Sequence, residues 1–139
     1  MPSGIYLPAL RNLAIGSIDF DTDTFRVLLT TSAYTEDLDA HDFRNDVTNE
    51  VTGTGYSAGG NTVTVTVNAV DTVNNRLDIT LGGTTWTTST ITARKAVYYK
   101  SRGGASSADE LVAVVDFGSD VSTTAGTFTL TASTLRLAL

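Results

Sequence analysis

Polar and apolar positions alternate most regularly over residues 62–67, where three threonines alternate with three valines. Because successive side chains of a β-strand point to opposite faces, this period of two predicts a strand that buries Val63, Val65 and Val67. The bias extends to the whole chain, since 25 of its 139 residues are threonine and only 2 are lysine. β-Branched residues favour sheets, so the pattern predicts an all-β protein.

Other segments show the same signal over shorter lengths. We predict further strands at residues 24–30, 76–81, 86–92, 93–100, 111–117, 127–131 and 135–139. The dipeptide Asn74-Asn75 predicts a hairpin between residues 61–67 and 76–81, and Gly82-Gly83 predicts the next turn. About seven or eight short strands at this spacing are typical of an antiparallel β-sandwich or a jelly roll.

The N-terminal segment differs from the rest of the chain. Over residues 5–16, helical spacing places Ile5, Leu10, Leu13 and Ala14 near one face, and Gly16 is suited to end a helix. A chain of 139 residues has the common size of a single domain. We therefore expect one β-sandwich domain over residues 1–139, in which residues 1–16 form an N-terminal arm or short helix.

Residues 32–61 are rich in Asp, Asn and Gly and show few sustained apolar alternations. A connection of this length without secondary structure of its own usually has a function, or it contains a short helix. We predict one or the other for this loop.

Charge narrows the range of partners. The formal net charge is −6, and nine of the fifteen acidic residues lie between Asp19 and Glu50. A negative field over that part of the chain would repel nucleic acid and anionic membranes, so we expect neither as a partner. No apolar run approaches the roughly 20 residues that span a bilayer, and we expect no secretory signal. The absence of cysteine excludes disulfides and thiolate metal sites.

Two glycine-rich motifs overlap in the long loop. Residues 55–59 match G-x-S-x-G, the nucleophile elbow of α/β hydrolases, but a β pattern follows them, and the only histidine, His41, precedes them. Residues 53–58 match the letters G-x-G-x-x-A of a dinucleotide fingerprint, which also requires a following helix. We interpret both motifs as turns whose glycines adopt positive φ.

Two further groups of polar residues are candidates for chemistry. Asp19, Asp21 and Asp23 alternate as at the start of a calcium loop, but threonine stands at both positions where an EF-hand would have Gly and Glu. We interpret them as a solvated strand entry, and a weak cation site built with other loops stays open as the alternative. His41 beside Asp42 has the residue types of a general base and its orienting carboxylate. We interpret His41 as a surface residue, or as one that holds the loop by hydrogen bonds.

Three aromatic residues lie within predicted strands. Trp86, Tyr98 and Tyr99 have rings that can stack on a sugar or a base, but aromatic residues on sandwich strands are commonly buried. We predict that all three belong to the core.

Four stretches share a recognisable pattern: residues 17–29 with 31–35, residues 41–47 through 53–60, residues 85–94, and residues 115–118. Within them the chain reads Ser-Ile-Asp-Phe-Asp-Thr-Asp, His-Asp-Phe-Arg-Asn-Asp-Val, Thr-Trp-Thr and Val-Asp-Phe-Gly. Together they resemble a family of small virion structural proteins of tailed bacteriophages. Residues 62–83 and 119–139 match in pattern more than in letters. Lys95, where the family pattern leads us to expect an apolar or aromatic residue, and the end at 135–139 depart from it.

The resemblance implies a structural component of the virion, and small β-sandwich proteins of this kind often serve as head decoration or cement. We expect a capsid decoration protein on the exterior of the head that bridges subunits of the major capsid protein and associates with itself as a dimer or trimer. A tail or fibre protein that binds host glycan is the alternative, and a hydrolase is the weakest hypothesis. The family supplies no catalytic residues, and we expect no enzymatic activity, no cofactor and no bound metal.

The contact surface is expected to combine the N-terminal segment with the long loop. Its predicted residues are Ile5, Tyr6, Leu7, Phe43, Arg44 and Tyr56. The alternative for each is that it packs on its own domain. Under the first hypothesis residues 1–10 are dispensable for folding, because the predicted β core begins after Asp23.

Overall fold

The computed structural model describes residues 3–138, in which ten strands and one α-helix alternate with loops. The strands are β1 (Gly4–Ile5), β2 (Phe25–Thr30), β3 (Asn61–Val63), β4 (Val65–Val67), β5 (Arg76–Leu81), β6 (Thr84–Ser89), β7 (Thr92–Lys100), β8 (Leu111–Ser122), β9 (Gly126–Leu130) and β10 (Ser133–Ala138). Helix α1 spans Leu7–Ala14, and two short 3-10 helices span Arg44–Asp46 and Ser106–Ala108.

The strands form three sheets that share one hydrophobic core. Their orders are β1-β8-β7-β2-β3, β10-β5-β4 and β6-β9, and every pairing between named strands is antiparallel. Side chains from all three sheets, such as Val27, Ile79 and Phe128, belong to a single buried cluster. The prediction of an all-β antiparallel sandwich with a short N-terminal helix is confirmed. The jelly-roll alternative is not confirmed by this strand order.

The threonine–valine run does not form one strand. It divides at Thr64, because β3 pairs with β2 in the five-stranded sheet whereas β4 pairs with β5 in the three-stranded sheet. The carbonyl oxygen of Thr64 accepts a hydrogen bond from the backbone N–H of Gly82 at 2.8 Å, which fixes the crossing point. Val63 is buried as predicted, but Val67 is 41% exposed, so the prediction of one buried valine face is wrong for Val67.

The predicted hairpin is confirmed as β4–β5, with Val65 opposite Leu81 and Val67 opposite Ile79. Asp71 stabilises the start of its turn, since Oδ1 accepts hydrogen bonds from the backbone N–H groups of Val73 and Asn74 at 3.1 and 3.0 Å. Local side-chain acceptors of this kind are the reason why Asp favours turns.

The central strands of the large sheet are buried on both faces. Tyr98 and Tyr99 are neighbours on β7 and therefore point in opposite directions, yet both are buried. The Tyr98 hydroxyl donates to the carbonyl of Gly82, in the turn that leaves β5, and the Tyr99 hydroxyl donates to the carbonyl of Gly59, in the long loop. One face of this sheet is thus covered by the other sheets, and the long loop covers part of the opposite face.

Helix α1 buries a different face from the predicted one. Its buried residues are Ala9 and Asn12, whereas Leu10 and Ala14 are exposed. Ile5 lies in β1, before the helix begins, and therefore cannot share a helical face with them. Gly16 ends the helix as predicted, with φ at +80°, and its N–H donates to the carbonyl of Leu13 at 3.3 Å.

The long loop contains a short helix, which confirms one of the two alternatives predicted for it. The 3-10 helix Arg44–Asp46 lies near its middle, and isolated β-bridges join Thr30 to Glu50, Phe43 to Glu110 and Thr54 to Thr90. These contacts hold the loop along the surface of the sheets.

Candidate interaction surface

The N-terminal residues are fixed to the domain. Strand β1 pairs with β8, the backbone N–H of Tyr6 donates to the carbonyl of Val112 at 3.1 Å, and the Tyr6 side chain is 0% exposed. The prediction that Tyr6 contacts a partner is therefore wrong, because pairing of β1 with β8 directs the next side chain into the core. Ile5 is partly buried, and Leu7 is 50% exposed.

A chain of hydrogen bonds ties Tyr6 to the long loop. The hydroxyl groups of Tyr6 and Tyr34 lie 2.9 Å apart, and the Tyr34 hydroxyl lies 3.0 Å from Nδ1 of His41. Nδ1 also accepts from the backbone N–H of Asp37 at 3.3 Å, so this nitrogen is the acceptor and Tyr34 donates to it. Burial is the main cause that raises the pKa of Tyr34 to about 12 and raises that of Tyr6 further.

His41 and Asp42, the candidates for a general base and its orienting carboxylate, bond to different partners. The side chain of Asp42 accepts from Nδ2 of Asn12 on helix α1 at 2.9 Å, whereas His41 bonds to Tyr34. The Asp42 carboxylate is thus hydrogen-bonded to helix α1, and the His41 imidazole holds the long loop. The interpretation of His41 as a residue that holds the loop by hydrogen bonds is confirmed.

The predicted loop contacts Phe43, Arg44 and Tyr56 are all partly buried within the domain. Arg44 Nε donates to Oδ2 of Asp109 at 2.8 Å, and its guanidinium carbon lies 5.2 Å from the centroid of the Tyr99 ring. Phe43 forms a β-bridge with Glu110. The Arg44 side chain and the Phe43 backbone are thus held against the end of β7 and the segment that leads into β8.

Tyr56 is engaged in a different part of the fold. Its hydroxyl donates to Oε1 of Glu50 at 2.7 Å and accepts from the backbone N–H of Leu29 at 3.0 Å. Its ring lies 5.8 Å from that of Trp86, centroid to centroid. Burial raises the pKa of the Tyr56 hydroxyl far above its ordinary value. Of the six predicted contact residues, Leu7 is therefore the one whose side chain is largely free.

A buried ion pair lies beneath the loop. Lys95 Nζ forms a salt bridge with Glu36, donates to the carbonyl of Tyr34 at 2.8 Å, and lies 5.7 Å from the Tyr34 ring centroid. Both charged side chains are nearly buried. Sequence reasoning noted Lys95 only as a departure from an apolar pattern. A lysine next to the buried apolar run Ala96–Tyr99 is itself the signal for a buried partner, because an unpaired charge in a core is costly.

Other acidic residues are also neutralised within the chain. Asp23 pairs with Lys100 at 2.8 Å, Glu110 with Arg102 at 2.7 Å, and Asp116 with Arg94 at 2.7 Å. Within residues 19–50, the negative field is thus partly compensated by two lysines of β7, because Lys100 pairs with Asp23 and Lys95 with Glu36.

Asp19, Asp21 and Asp23 form a local turn. Asp23 Oδ2 accepts from the backbone N–H of Asp19 at 2.7 Å, and Asp19 Oδ1 accepts from the N–H of Asp21 at 2.9 Å. Hydrogen bonds from the backbone of Asp21 and the hydroxyl of Thr22 lower the pKa of Asp19. Within residues 3–138, groups of three or more His, Asp or Glu side chains suited to a metal do not occur.

The glycine-rich motifs are a series of tight turns. The N–H of Tyr56 donates to the carbonyl of Gly53 at 3.2 Å, and the N–H of Gly60 donates to the carbonyl of Ser57 at 3.0 Å. Gly60 has φ at +70°, and a Cβ atom there would lie 1.8 Å from the carbonyl oxygen of Val27. Ser57 is exposed at the surface of this turn. The interpretation of these glycines as positions of positive φ is confirmed.

Helix α1 presents an apolar stripe to solvent. Leu7 and Ile15 are 50% and 58% exposed, and Leu10 is also exposed. At 100° per residue Leu7 and Leu10 lie on the side of the helix away from the buried Ala9, and Ile15 follows directly as the C-cap residue. The exposed Arg11 falls between Leu7 and Ile15 on this side. We call Leu7, Leu10 and Ile15 the helix stripe.

An apolar groove of about 560 Å³ lies beside this helix, between β1 and β10. Ile5, Leu10, Leu135 and Leu137 contribute side chains to it, and Arg136 is the single charged residue in its lining. Both flanking strands are outermost in their sheets. The groove therefore combines apolar side chains with the backbone edges of two strands.

No family model, no curated protein and no solved structure matches the chain. Within residues 3–138, none of the helices is both long enough and apolar enough to span a membrane.

Proposed function

We propose that this protein is a capsid decoration protein of a tailed bacteriophage, located on the outside of the head. It binds neighbouring subunits of the major capsid protein and bridges them. The observation that carries the proposal is the helix stripe, which is an exposed apolar surface on a domain whose long loop is fixed by internal hydrogen bonds and ion pairs. The resemblance of residues 17–29, 31–35, 41–60, 85–94 and 115–118 to virion proteins of tailed bacteriophages suggests the phage head as the setting.

The mechanism is stabilisation by linkage. A ligand that binds the assembled shell, and not its separated parts, lowers the free energy of the shell at every occupied site. A molecule that spans two subunits adds to this effect, because its second contact forms at a high effective concentration. Neither step needs a catalytic residue or a cofactor.

The kind of exposed side chain favours the head over the tail. A fibre protein that binds glycan would need exposed aromatic rings on which a sugar can stack. Trp86, Tyr98 and Tyr99 are buried, and the large apolar side chains exposed within residues 3–138 are all Leu, Ile or Val. Aliphatic side chains are suited to a contact with another protein from which water is excluded, but they offer no ring on which a sugar can stack. We therefore rank the tail or fibre protein second.

The test is a binding and heat-release assay on phage heads that lack the protein. We expect wild-type protein to bind these heads and to raise the temperature at which packaged DNA is released. The double variant Leu7→Ser with Ile15→Ser removes apolar area from the helix stripe and should lose most of the binding. Burial of about two such side chains accounts for roughly 3 kcal/mol, or a 100-fold change in affinity.

Val70→Ser with Val73→Ser is the matched control, since Val73 is 87% exposed and both residues lie in the turn between β4 and β5. This variant should bind heads like the wild type. Equal release temperatures for bare, decorated and variant-treated heads would refute the decoration mechanism and favour the tail.

A further inference from the structure

Arg11 is the one basic side chain that has no internal partner among residues 3–138. The chain has nine lysine and arginine residues. Seven of them form salt bridges with Asp or Glu, and Arg26 donates to the backbone carbonyl groups of Gly59 and Gly60. Arg11 has neither kind of contact within this part of the chain, and it is exposed.

The isolation of Arg11 is unusual because carboxylates are in excess. The chain has 15 acidic residues and a net charge of −6. The next residue, Asn12, is buried and donates to Asp42, whereas a turn of 100° directs the Arg11 side chain away from the domain. The N–H donors of the Arg11 guanidinium are therefore available for a contact outside the chain.

Arg11 also lies within the helix stripe. Around the helix axis it falls between Leu7 and Ile15, and Leu10 lies on the far side of Leu7. We call Arg11 together with the helix stripe the α1 face. A carboxylate that pairs with Arg11 here would be surrounded by apolar side chains. Exclusion of water strengthens a charge-assisted hydrogen bond of this kind.

We propose that the α1 face binds a surface of the major capsid protein on which a carboxylate side chain is surrounded by apolar residues. This assignment rests on the proposed function and adds the chemistry of the surface that the protein binds. The guanidinium of Arg11 donates bidentate hydrogen bonds to the carboxylate, while Leu7, Leu10 and Ile15 bury apolar area around this pair. Arginine suits this position better than lysine, because its planar group matches a carboxylate and is less strongly hydrated.

Other occupants fit the α1 face less well. A two-fold contact between the α1 faces of two copies, centred on Arg11, would bring two guanidinium groups together without a carboxylate between them. Nucleic acid and anionic membranes are repelled by the net charge of −6, and Arg11 alone offers them little compensation. A protein surface with a carboxylate in an apolar patch matches both the apolar and the cationic part of this face.

The test measures association and dissociation of the protein on immobilised phage heads that lack it. Arg11→Gln removes the charge and should raise the Kd about tenfold or more. The change should lie in the dissociation rate, because a pair buried in an interface acts after the two surfaces have met. Arg11→Lys keeps the charge without the planar group and should recover part of the loss. Arg11→Glu should bind more weakly than Arg11→Gln, because two carboxylates then face each other.

Arg76→Gln is the matched control, since it removes the same charge at the start of β5, where Arg76 pairs with Asp71 and Asp78. This variant should bind heads like the wild type. Urea unfolding verifies that each variant is folded. Arg11 lies in the last turn of α1, where a cation also stabilises the helix. A purely structural role would therefore shift the urea midpoint of Arg11→Gln, leave its dissociation rate unchanged and overturn the proposal.

Further outcomes separate this proposal from the proposed function. If Leu7→Ser with Ile15→Ser loses binding while Arg11→Gln and Arg11→Glu bind like the wild type, the decoration function stands and the carboxylate partner is refuted. A loss confined to the association rate that disappears at high salt would also refute the buried pair, because it would show long-range attraction only. Self-association of the free protein that Arg11→Glu alters in sedimentation would assign the α1 face to a second copy. Heads that bind no wild-type protein would refute both proposals.

Discussion

The hydroxyl groups of Tyr6 and Tyr34 lie 2.9 Å apart in the core and join the N-terminal segment to the long loop. Twenty-eight positions separate these residues in sequence. Because Tyr34 also bonds to His41, one polar chain connects β1, α1 and the loop. The N-terminal segment is thus part of the folded domain, which changes what its removal should do.

We predict that deletion of residues 1–10 destabilises the domain instead of leaving it intact. The deletion removes strand β1 and the buried Tyr6 ring, and loss of a large aromatic side chain from a core alone costs roughly 3–5 kcal/mol. Urea unfolding followed by Trp86 fluorescence measures the change. Leu7→Ser, which alters an exposed side chain of the same segment, is the control and should stay within about 0.5 kcal/mol of the wild type. An unchanged midpoint for the deletion would show that the segment is a dispensable arm.

A second prediction concerns the buried pair of Lys95 and Glu36. Lys95→Ala leaves the Glu36 carboxylate buried without its partner and should lower the free energy of unfolding by roughly 3–5 kcal/mol. The double variant Lys95→Met with Glu36→Leu removes both charges and should recover most of that loss. Arg136→Ala breaks an exposed pair with Asp78 and should cost less than about 1 kcal/mol. A double variant as unstable as Lys95→Ala would mean that packing of the lysine stem, and not its charge, determines stability.

These residues also show how far sequence reasoning reaches. The alternation of residues 62–67 predicted strand structure correctly, because side-chain period is a local property. It could not reveal that the chain changes sheets at Thr64, since that depends on which distant strands, β2 and β5, offer free edges. Lys95 likewise appeared as an exception to an apolar pattern, because its partner Glu36 lies 59 positions away.

The candidate contact surface was predicted less well than the fold. The contact residues predicted at the N-terminus are apolar side chains that precede the β pattern, and sequence alone does not say which of them face inward. Pairing of β1 with β8 decides this, since it buries Tyr6 and leaves Leu7 exposed. The predicted helical face shares Leu10 with the helix stripe, but it did not include Ile15, which directly follows the helix and is exposed.

A third prediction is cooperative unfolding at alkaline pH. Burial raises the pKa of Tyr34 and of Tyr98 to about 12, from an ordinary value of 10.0. A raised pKa means that the folded state favours the neutral phenol, so this stability is complete below pH 10 and is lost as pH rises through 12. Tyrosinate absorbance and Trp86 fluorescence should therefore change together between these values. Tyrosine titration near pH 10 with unchanged fluorescence would contradict buried hydroxyls.

The last prediction separates a structural from a catalytic role for residues 53–60. Ser57 is exposed in a turn, so Ser57→Ala should leave both stability and binding to phage heads unchanged. Gly60→Ala should destabilise the domain by several kcal/mol, because the new Cβ would lie 1.8 Å from the Val27 carbonyl oxygen at a φ of +70°. Gly16→Ala is the matched control for backbone strain, since its φ is +80° but nothing lies within 4 Å of the added carbon. Strain without a clash should cost only about 1–2 kcal/mol.

Thermal unfolding ranks the three variants, and an ester substrate tests for turnover by the wild type. A hydrolase would give the opposite result. If the wild type turns over the ester, and Ser57→Ala abolishes this turnover while the protein stays folded, then Ser57 is a nucleophile. That outcome would refute the proposal of a structural protein.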